Sequence, residues 1–265
     1  KDTVGREKAL KKILPIQTRD FEGIFKAMDG APVTIRLIDP PLHEFLPHDT
    51  EGQKALADAL ALPFGEIKGR VEQLAEANPM LGHRGCRLLV TYPEILTMQV
   101  TAIISAACNV QKKGIKVHPE IMIPLVIDGK EFAELEAKVR EVAESVMKEK
   151  EVTVKYEVGT MIETPRATLV ADKIGEHAEF FSFGTNDLTQ MTLGLSRDDA
   201  TKFLPYYVDE TKAGIFKADP FQTIDTVGVG ELMKTAIQRG RGANSKLRIG
   251  VCGEHGLSLI HISEP

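Results

Sequence analysis

Short apolar runs alternate along the chain with longer stretches of helical periodicity. The apolar runs predict six strands, at 33–38, 84–90, 121–127, 158–162, 180–183 and 248–252. Apolar residues at helical spacing predict helices at 1–29 (broken near Pro15), 53–60, 65–76, 92–113, 131–150, 166–177, 188–194 and 226–239. Strands that alternate with helices favour a parallel sheet, and we expect an α/β fold, a (β/α)8 TIM barrel. Six strands are two fewer than a closed barrel of this type contains.

Two of the predicted strands run directly into acidic residues. Glu163 follows the strand at 158–162, and the strand at 180–183 leads into Gly184, Thr185, Asn186 and Asp187. The carboxyl ends of adjacent parallel strands line one shared site, so we expect Glu163 and Asp187 to face each other. Two carboxylates with no basic residue beside them favour a hard divalent cation such as Mg²⁺. The alternative is that each is a helix N-cap or a surface acid.

Two arginines are candidates for binding an anion. Arg36 lies inside the apolar run VTIRLI, and Arg84 lies in NPMLGHRGCR. Arginine forks bind carboxylates and phosphates, so both side chains could grip a phosphorylated substrate beside Mg²⁺. The alternative for Arg36 is a buried salt bridge, for example to Asp39. Asn186 and the backbone of Gly184 and Thr185 could bind substrate oxygens, or could simply form a tight turn.

Composition and charge exclude several classes of function. Lys and Arg number 33 and Asp and Glu 38, for a net charge of −5, and no basic block predicts a nucleic-acid partner. No apolar run approaches the roughly 20 residues of a membrane span, and no signal peptide opens the chain. Three widely spaced cysteines form no disulfide framework, so we expect a cytoplasmic protein. No histidine spacing typical of a zinc site is present.

Several longer runs resemble a known family, the phosphoenolpyruvate (PEP)-utilising enzymes. GTNDLTQ and GEHG are similar to motifs of the whole family, which includes PEP synthases and enzyme I of the sugar phosphotransferase system. The run LIDPPLHEFLP points to the pyruvate, phosphate dikinases and to their carboxyl-terminal PEP/pyruvate-binding domain. The runs that carry the resemblance are IRLIDPPLHEFLP (35–47), NPMLGHRGCRL (78–88), GTMIETPRA (159–167), FFSFGTNDLTQMTLGLSRDDA (180–200), DPFQTIDTVGVGELMK (219–234) and IGVCGEHG (249–256).

The resemblance implies a (β/α)8 barrel of the PEP/pyruvate type and a role for each matching residue. It implies that Glu163 and Asp187 are Mg²⁺ ligands and that Arg36 and Arg84 grip the phosphoryl group and the carboxylate. The substrate pocket would be completed by further residues of the GTND and SRDD motifs, namely Gly184, Thr185, Asn186 and Arg197.

The resemblance also implies a mechanism and partners. Pyruvate loses a methyl proton, and its enolate is stabilised by Mg²⁺ as a Lewis acid. The enolate oxygen then attacks a phosphoryl group carried on a histidine of a separate domain, while the arginines neutralise charge. The complete enzyme would convert ATP, phosphate and pyruvate to AMP, diphosphate and PEP. The implied partners are the phosphohistidine and ATP-binding domains, and a second copy in a homodimer.

The chain departs from this family in two places. The tail LSLIHISEP (257–265) does not resemble the expected continuation, so we divide the chain into a barrel domain, 1–256, and a non-family tail, 257–265. We expect the family's cysteine proton donor to lie beyond the matching region, and we therefore assign no catalytic residue and do not transfer that role to Cys252. The first and last barrel strands are expected to be missing. We therefore predict an incomplete barrel that is inactive alone.

Other functions remain open at this point. A PEP synthase or an enzyme I domain would keep the same site and change the partner. A Mg²⁺-dependent barrel lyase acting on oxo-acids would need no phosphohistidine. A binding or dimerisation module is the alternative outside enzymes, and the irregular stretch at 196–222 suits an interaction surface.

Overall fold

The core of the protein is one parallel β-sheet. A computed structural model describes residues 2–256, in which five strands lie side by side in the order in which they occur along the chain. All four neighbouring pairs are parallel, which confirms the predicted α/β class. The strands are β1 (Pro32–Arg36), β2 (His118–Ile123), β3 (Glu157–Ile162), β4 (Phe180–Phe183) and β5 (Arg248–Val251).

Helices precede β1 and connect consecutive strands, and most of them contribute residues to the main hydrophobic core on one face of the sheet. They are α1 (Thr3–Ala27), α2 (Thr50–Leu60), α3 (Phe64–Leu74), α4 (Cys86–Thr91), α5 (Pro93–Gln111), α6 (Gly129–Lys150), α7 (Pro165–Leu169), α8 (Ala171–Gly175), α9 (Thr185–Leu193), α10 (Arg197–Ala200), α11 (Leu204–Val208) and α12 (Val229–Ala243). No helix within residues 2–256 is long and apolar enough to cross a membrane.

The strands alternate between an outer and an inner face. Outward residues such as Ile121, Val158 and Phe181 pack with the helices in the main hydrophobic core. Inward residues are more polar and line a cavity of about 350 Å³ that is shared by β1, β2, β4 and β5. On this inner face Arg248 of β5 contacts Glu120 of β2 at 2.7 Å, although two strands lie between them. The sheet is therefore strongly curled, as in a partial (β/α)8 barrel.

The predicted strand at 84–90 is wrong, because this segment forms helix α4. Gly85 adopts a φ of 58° and turns the chain just before the helix. The helix then buries Leu88 and Leu89, and the N–H of Tyr92 donates to the carbonyl of Leu88. A short apolar run does not distinguish a buried strand from a buried helix. The described part of the chain therefore has five strands, and the sixth predicted strand is absent from it.

Two predicted helices also differ from the structure. Helix α1 continues through Pro15 without a break; Pro15 and Lys11 are both exposed, so water can satisfy the Lys11 carbonyl that loses its partner. The helix predicted at 166–177 is divided into α7 and α8 at Val170. The predicted tail at 257–265 lies outside the described residues.

Candidate functional site

The loops that follow β1, β3, β4 and β5 meet at the carboxyl edge of the sheet. Glu163 directly follows β3, and Asp187 lies in the first turn of α9, which begins two residues after β4. Asp39 lies three residues after the end of β1. The structure therefore places Glu163 and Asp187 at one edge of the sheet, with Asp39 as an additional acid. Their role as a shared binding site stays a prediction.

Arg84 is the residue that joins these acids. Its Nη2 lies 2.5 Å from Asp39 Oδ2 and 3.1 Å from Asp187 Oδ2. Only 11% of the Arg84 side chain is exposed, so both ion pairs are shielded from water. The expectation that no basic residue lies beside the acids is therefore wrong. It rested on neighbours in the sequence, whereas Arg84 reaches Asp187 through the fold.

Arg36 belongs to the same charge network but is far more open. Its Nη1 lies 3.1 Å from Asp39 Oδ2, and 45% of its side chain is exposed. Arg36 also lines the inner cavity. Both readings of this arginine from the sequence are thus compatible with the structure, because the ion pair to Asp39 leaves other donors of the guanidinium facing the cavity.

Glu163 is almost completely buried, with 2% of its surface exposed. Its Oε1 accepts a hydrogen bond from the backbone N–H of Leu125 at 2.6 Å. Leu125 has a φ of 58°, a left-handed conformation that is unfavourable for leucine. Burial, together with the negative charges of Asp187 and Asp39, raises the pKa of Glu163 to about 8. The buried carboxylate therefore needs a positive charge nearby to remain ionised at neutral pH.

The pKa of the Asp187 carboxyl is raised as well. Burial raises its pKa above the usual value, Arg84 opposes this shift, and Asp39 adds to it. Three carboxylates thus share two guanidiniums, those of Arg36 and Arg84. A cation placed between Glu163 and Asp187 would reduce this repulsion, and carboxylate oxygens are the ligands that Mg²⁺ prefers.

These residues fit a magnesium ion that is completed by substrate. Within residues 2–256 no group of three or more His, Cys, Asp or Glu side chains is placed to hold a metal ion. Mg²⁺ is commonly bound through one or two carboxylates plus substrate oxygens and water, so two protein ligands suffice. The donor set suits Mg²⁺ and does not suit zinc, which takes three or four protein ligands.

Gly184 allows the close approach of β4 to Glu163. A Cβ atom at Gly184 would lie 2.3 Å from Glu163 Oε2 and 2.7 Å from Met161 Cε. Both distances are shorter than van der Waals contact. Only glycine can therefore occupy this position without displacing the Glu163 carboxylate.

The other predicted site residues are placed less directly. Thr185 is fully buried as a whole residue, and its hydroxyl contacts His255, so neither its side chain nor its backbone is exposed to a cavity. Asn186 Oδ1 accepts from the N–H of Glu254 at 3.3 Å. Arg197 pairs with Glu254 at 2.5 Å and is 41% exposed.

Two cavities adjoin this edge of the sheet. One, of about 570 Å³, is lined by Asp39, Arg84, Asp187 and Gln190, among others. The other is the inner cavity of about 350 Å³, which contains Arg36. Gln190 was not predicted from the sequence. Its Nε2 donates to Asp187 Oδ1 at 3.4 Å, and its Oε1 accepts from the N–H of Arg197 at 2.8 Å.

Cys252 is a further residue of the site, although the sequence argument did not transfer the role of proton donor to it. It follows β5 directly and lines the inner cavity together with Arg36 and Ser182. Burial raises the pKa of its thiol, as does the nearby charge of Glu163, while Ser182 and Arg36 lower it. The thiol therefore keeps its proton at neutral pH. Its position directly after a strand, as for Glu163, is the signal that could have identified it.

The chain is similar in sequence to several pyruvate, phosphate dikinases. The chain is 57% identical over 253 residues to a pyruvate, phosphate dikinase of Giardia intestinalis. The matched region covers 96% of this chain and 28% of that protein. It is 54% identical to the pyruvate, phosphate dikinase of Clostridium symbiosum, over 95% of this chain and 29% of that protein. A chloroplastic pyruvate, phosphate dikinase of Arabidopsis thaliana is also 54% identical, over 96% of this chain and 26% of that protein.

The chain thus spans less than a third of the length of these relatives. Residues 3–262 match the family described as PEP-utilising enzyme, PEP-binding domain. The match ends within the segment 257–265 that was expected to lie outside the family, and the boundary at residue 256 stays a prediction. A match over nearly the whole chain establishes that this chain belongs to the PEP-utilising enzymes, with the match lying in their PEP-binding domain.

Proposed function

We propose that this chain is the PEP/pyruvate-binding domain of a pyruvate, phosphate dikinase. In this role it binds PEP or pyruvate with Mg²⁺ and exchanges a phosphoryl group with a phosphohistidine on another domain. The observation that carries the proposal is the placement of Arg84 against Asp187, next to the buried carboxylate of Glu163. Paired charges of both signs at one strand edge suit a ligand that has both an anionic group and a metal-chelating group.

Glu163 and Asp187 would hold the metal ion. When bound, Mg²⁺ supplies Lewis-acid stabilisation of negative charge on the substrate oxygens. The protein prepares this site by fixing Glu163 through the Leu125 N–H at 2.6 Å. Gly184 contributes by leaving room for the Glu163 carboxylate.

Arg36 and Arg84 bind and orient the anionic groups of the substrate. Arg36 is half-exposed and lines the inner cavity, so its free donors can take a carboxylate or a phosphoryl group. Arg84 has two further contacts, to the backbone carbonyls of Asp39 and Met80, and both are long at 3.4 Å. These weak contacts can be exchanged for stronger charge-assisted hydrogen bonds to substrate.

We propose Cys252 as the group that carries the proton. In the direction from PEP to pyruvate, the phosphoryl group leaves to the histidine, and the methylene carbon of the enolate takes the proton from the Cys252 thiol. The thiolate then takes a proton from water, which restores the thiol before the next turnover. This assignment differs from the expectation that the proton donor lies beyond Gly256. It is supported by the raised pKa of the thiol and its place in the inner cavity.

The remaining steps belong to other parts of the proposed enzyme. The named relatives are about 3.5 times as long as this chain, and we propose that equivalent additional domains supply the ATP site and the phosphohistidine. The cytoplasmic location and the homodimer stay predictions from the sequence. All three named relatives are pyruvate, phosphate dikinases, which supports this partner chemistry over that of a PEP synthase or a lyase.

The experiment that tests the proposal is calorimetric titration of the chain with oxalate, a dianion shaped like the pyruvate enolate, with and without Mg²⁺. We expect binding that depends on Mg²⁺ and that is lost in Glu163→Gln. Glu134→Gln is the matched control, because Glu134 is an exposed acid on α6 whose one ion pair among residues 2–256 is with Lys130 at 3.5 Å. Folded protein that binds no oxalate, or a Glu163→Gln variant that binds it normally, would overturn the proposal.

A further inference from the structure

The turn that follows β5 packs directly against the start of α9. This turn, Gly253–Gly256, and the first two residues of α9, Thr185 and Asn186, belong to the two motifs GEHG and GTND. A Cβ atom at Gly253 would lie 1.9 Å from Thr185 Oγ1 and 2.7 Å from Thr185 N. The absence of a side chain at Gly253 therefore permits backbone contact between the two motifs.

His255 makes the central contact of this turn. It is 6% exposed, with Nδ1 2.8 Å from Thr185 Oγ1 and Nε2 3.1 Å from the carbonyl oxygen of Pro220. A carbonyl can only accept, so Nε2 carries a proton. In the neutral ring Nδ1 is then the acceptor for the Thr185 hydroxyl. The imidazole thus ties the first residue of α9 to the segment around Pro220.

A second contact supports the same arrangement. The N–H of Glu254 donates to Asn186 Oδ1 at 3.3 Å. The Glu254 carboxylate in turn pairs with Arg197 at 2.5 Å. Both residues that precede Asp187 in α9 are therefore held by the turn after β5.

We propose that His255 is a positioning residue for the metal-binding end of α9. It holds Thr185 and so fixes the orientation of the first helical turn, which carries Asp187. This inference rests on the proposed function, because it concerns the affinity of the same site for a metal–anion complex. The full burial of Thr185 supports it, since the hydroxyl is occupied by His255 and faces no cavity.

Two conservative variants separate the two hydrogen bonds of His255. In His255→Asn the amide lies near the position of Nδ1 and can still accept from Thr185, whereas in His255→Gln the amide lies near Nε2 and can still donate to Pro220. Loss of groups that orient metal ligands costs about 10–100-fold in affinity. In the oxalate titration with Mg²⁺ we expect at least about tenfold weaker binding for His255→Gln and at most about threefold weaker binding for His255→Asn.

Asn244→Ala is the control for simple loss of structure. Asn244 Nδ2 donates to the carbonyl of Ala178 at 3.0 Å, a partly buried hydrogen bond between the segments that precede β5 and β4. We expect this variant to lose thermal stability and to keep its oxalate affinity. Equal losses of affinity in His255→Gln and His255→Asn, or normal binding by His255→Gln, would overturn the inference.

Thr185→Val provides an independent measurement that does not depend on the folding of the histidine variants. Valine has the shape of threonine but cannot donate to His255, so we expect the same loss of affinity as in His255→Gln. Normal binding by Thr185→Val would also overturn the inference. If the unmodified chain itself binds no oxalate, the proposed function fails. Binding that depends on Glu163 but not on His255 or Thr185 defeats only this inference.

Discussion

Arg84 Nη2 lies 3.1 Å from Asp187 Oδ2, so the candidate anion-binding arginine and the candidate metal ligand form an ion pair. The same nitrogen also contacts Asp39. Desolvation of the arginine is opposed by these two acids, and the net effect is a raised pKa for the Arg84 guanidinium. Arg84 is therefore held in place for an incoming anion by charges that already surround it, and several expectations follow from this arrangement.

Replacing Arg84 by methionine should lower stability as well as binding. The change leaves the carboxylates of Asp39 and Asp187 without their shared partner in a shielded site, and breaking such a buried pair costs about 3–5 kcal/mol. Chemical denaturation would measure the loss. The double variant Arg84→Met with Asp39→Asn should recover part of it, because one of the unpaired charges is removed. A double variant less stable than Arg84→Met alone would contradict this account.

The raised pKa of Glu163 predicts a dependence of stability on pH. In the unfolded chain this group ionises near 4.5, whereas in the folded chain it holds its proton up to about 8. The folded state therefore binds more protons within this interval, and the free energy of unfolding should fall as pH rises from about 4.5 to about 8. In Glu163→Gln this part of the fall should be absent, so the free energy of unfolding of the variant relative to that of the unmodified protein should rise from about pH 4.5 to about pH 8, as measured by chemical denaturation.

Binding should depend on pH in the opposite direction. Carboxylates must be deprotonated to bind a metal ion, so oxalate affinity in the presence of Mg²⁺ should rise with pH up to the Glu163 pKa of about 8 and level off above it. Titrations at several pH values would measure the slope, which is at most about tenfold per unit for one released proton. An affinity that is flat across this interval would show that Glu163 does not control metal binding.

Substitution of Gly184 by alanine should weaken binding strongly. The added Cβ would approach Glu163 Oε2 to 2.3 Å and would displace the carboxylate. We expect a loss of about tenfold or more in oxalate affinity. Gly242→Ala in α12 is the matched control, since Gly242 is exposed and a Cβ there meets no atom within 4 Å. Equal effects of the two substitutions would argue against the steric explanation.

Alkylation should distinguish Cys252 from the other two cysteines. Cys86 and Cys108 are buried, whereas Cys252 is exposed in the inner cavity. With iodoacetamide at alkaline pH, we expect peptide mass spectrometry to find the label on Cys252 first. Oxalate with Mg²⁺ should slow this labelling by covering the thiol. Labelling of Cys252 at the same rate with and without these ligands would place it outside the substrate site.

Replacement of Cys252 by alanine tests its role as the proton carrier. The variant should still bind oxalate with Mg²⁺, because the thiol is not needed to hold the metal or the anion. We expect the unmodified protein with Mg²⁺ to exchange the methyl protons of pyruvate with deuterium, as followed by NMR, and we expect the variant to lose this exchange. Retained exchange would mean that another group carries the proton.

Two strands and the acids at their ends could be predicted from the local pattern of apolar and polar residues. The run at 180–183 was predicted with the bounds that β4 has in the structure, and the run at 158–162 differs from β3 by one residue. Each is a short apolar segment closed by polar residues, so both the strand and the acid at its end could be read locally. The placement of Glu163 and Asp187 at one edge then followed from the parallel order of the strands.

Which residues surround those two acids depends on the tertiary structure. Arg84 lies beside Asp187 because α4 follows the turn at Gly85, in a segment where the apolar pattern predicted a strand. Cys252 shares a cavity with Arg36 because the curl of the sheet brings β5 towards β1. Periodicity describes which face a residue occupies, whereas curvature and packing set the distances between faces. The chemistry of this site depends on those distances.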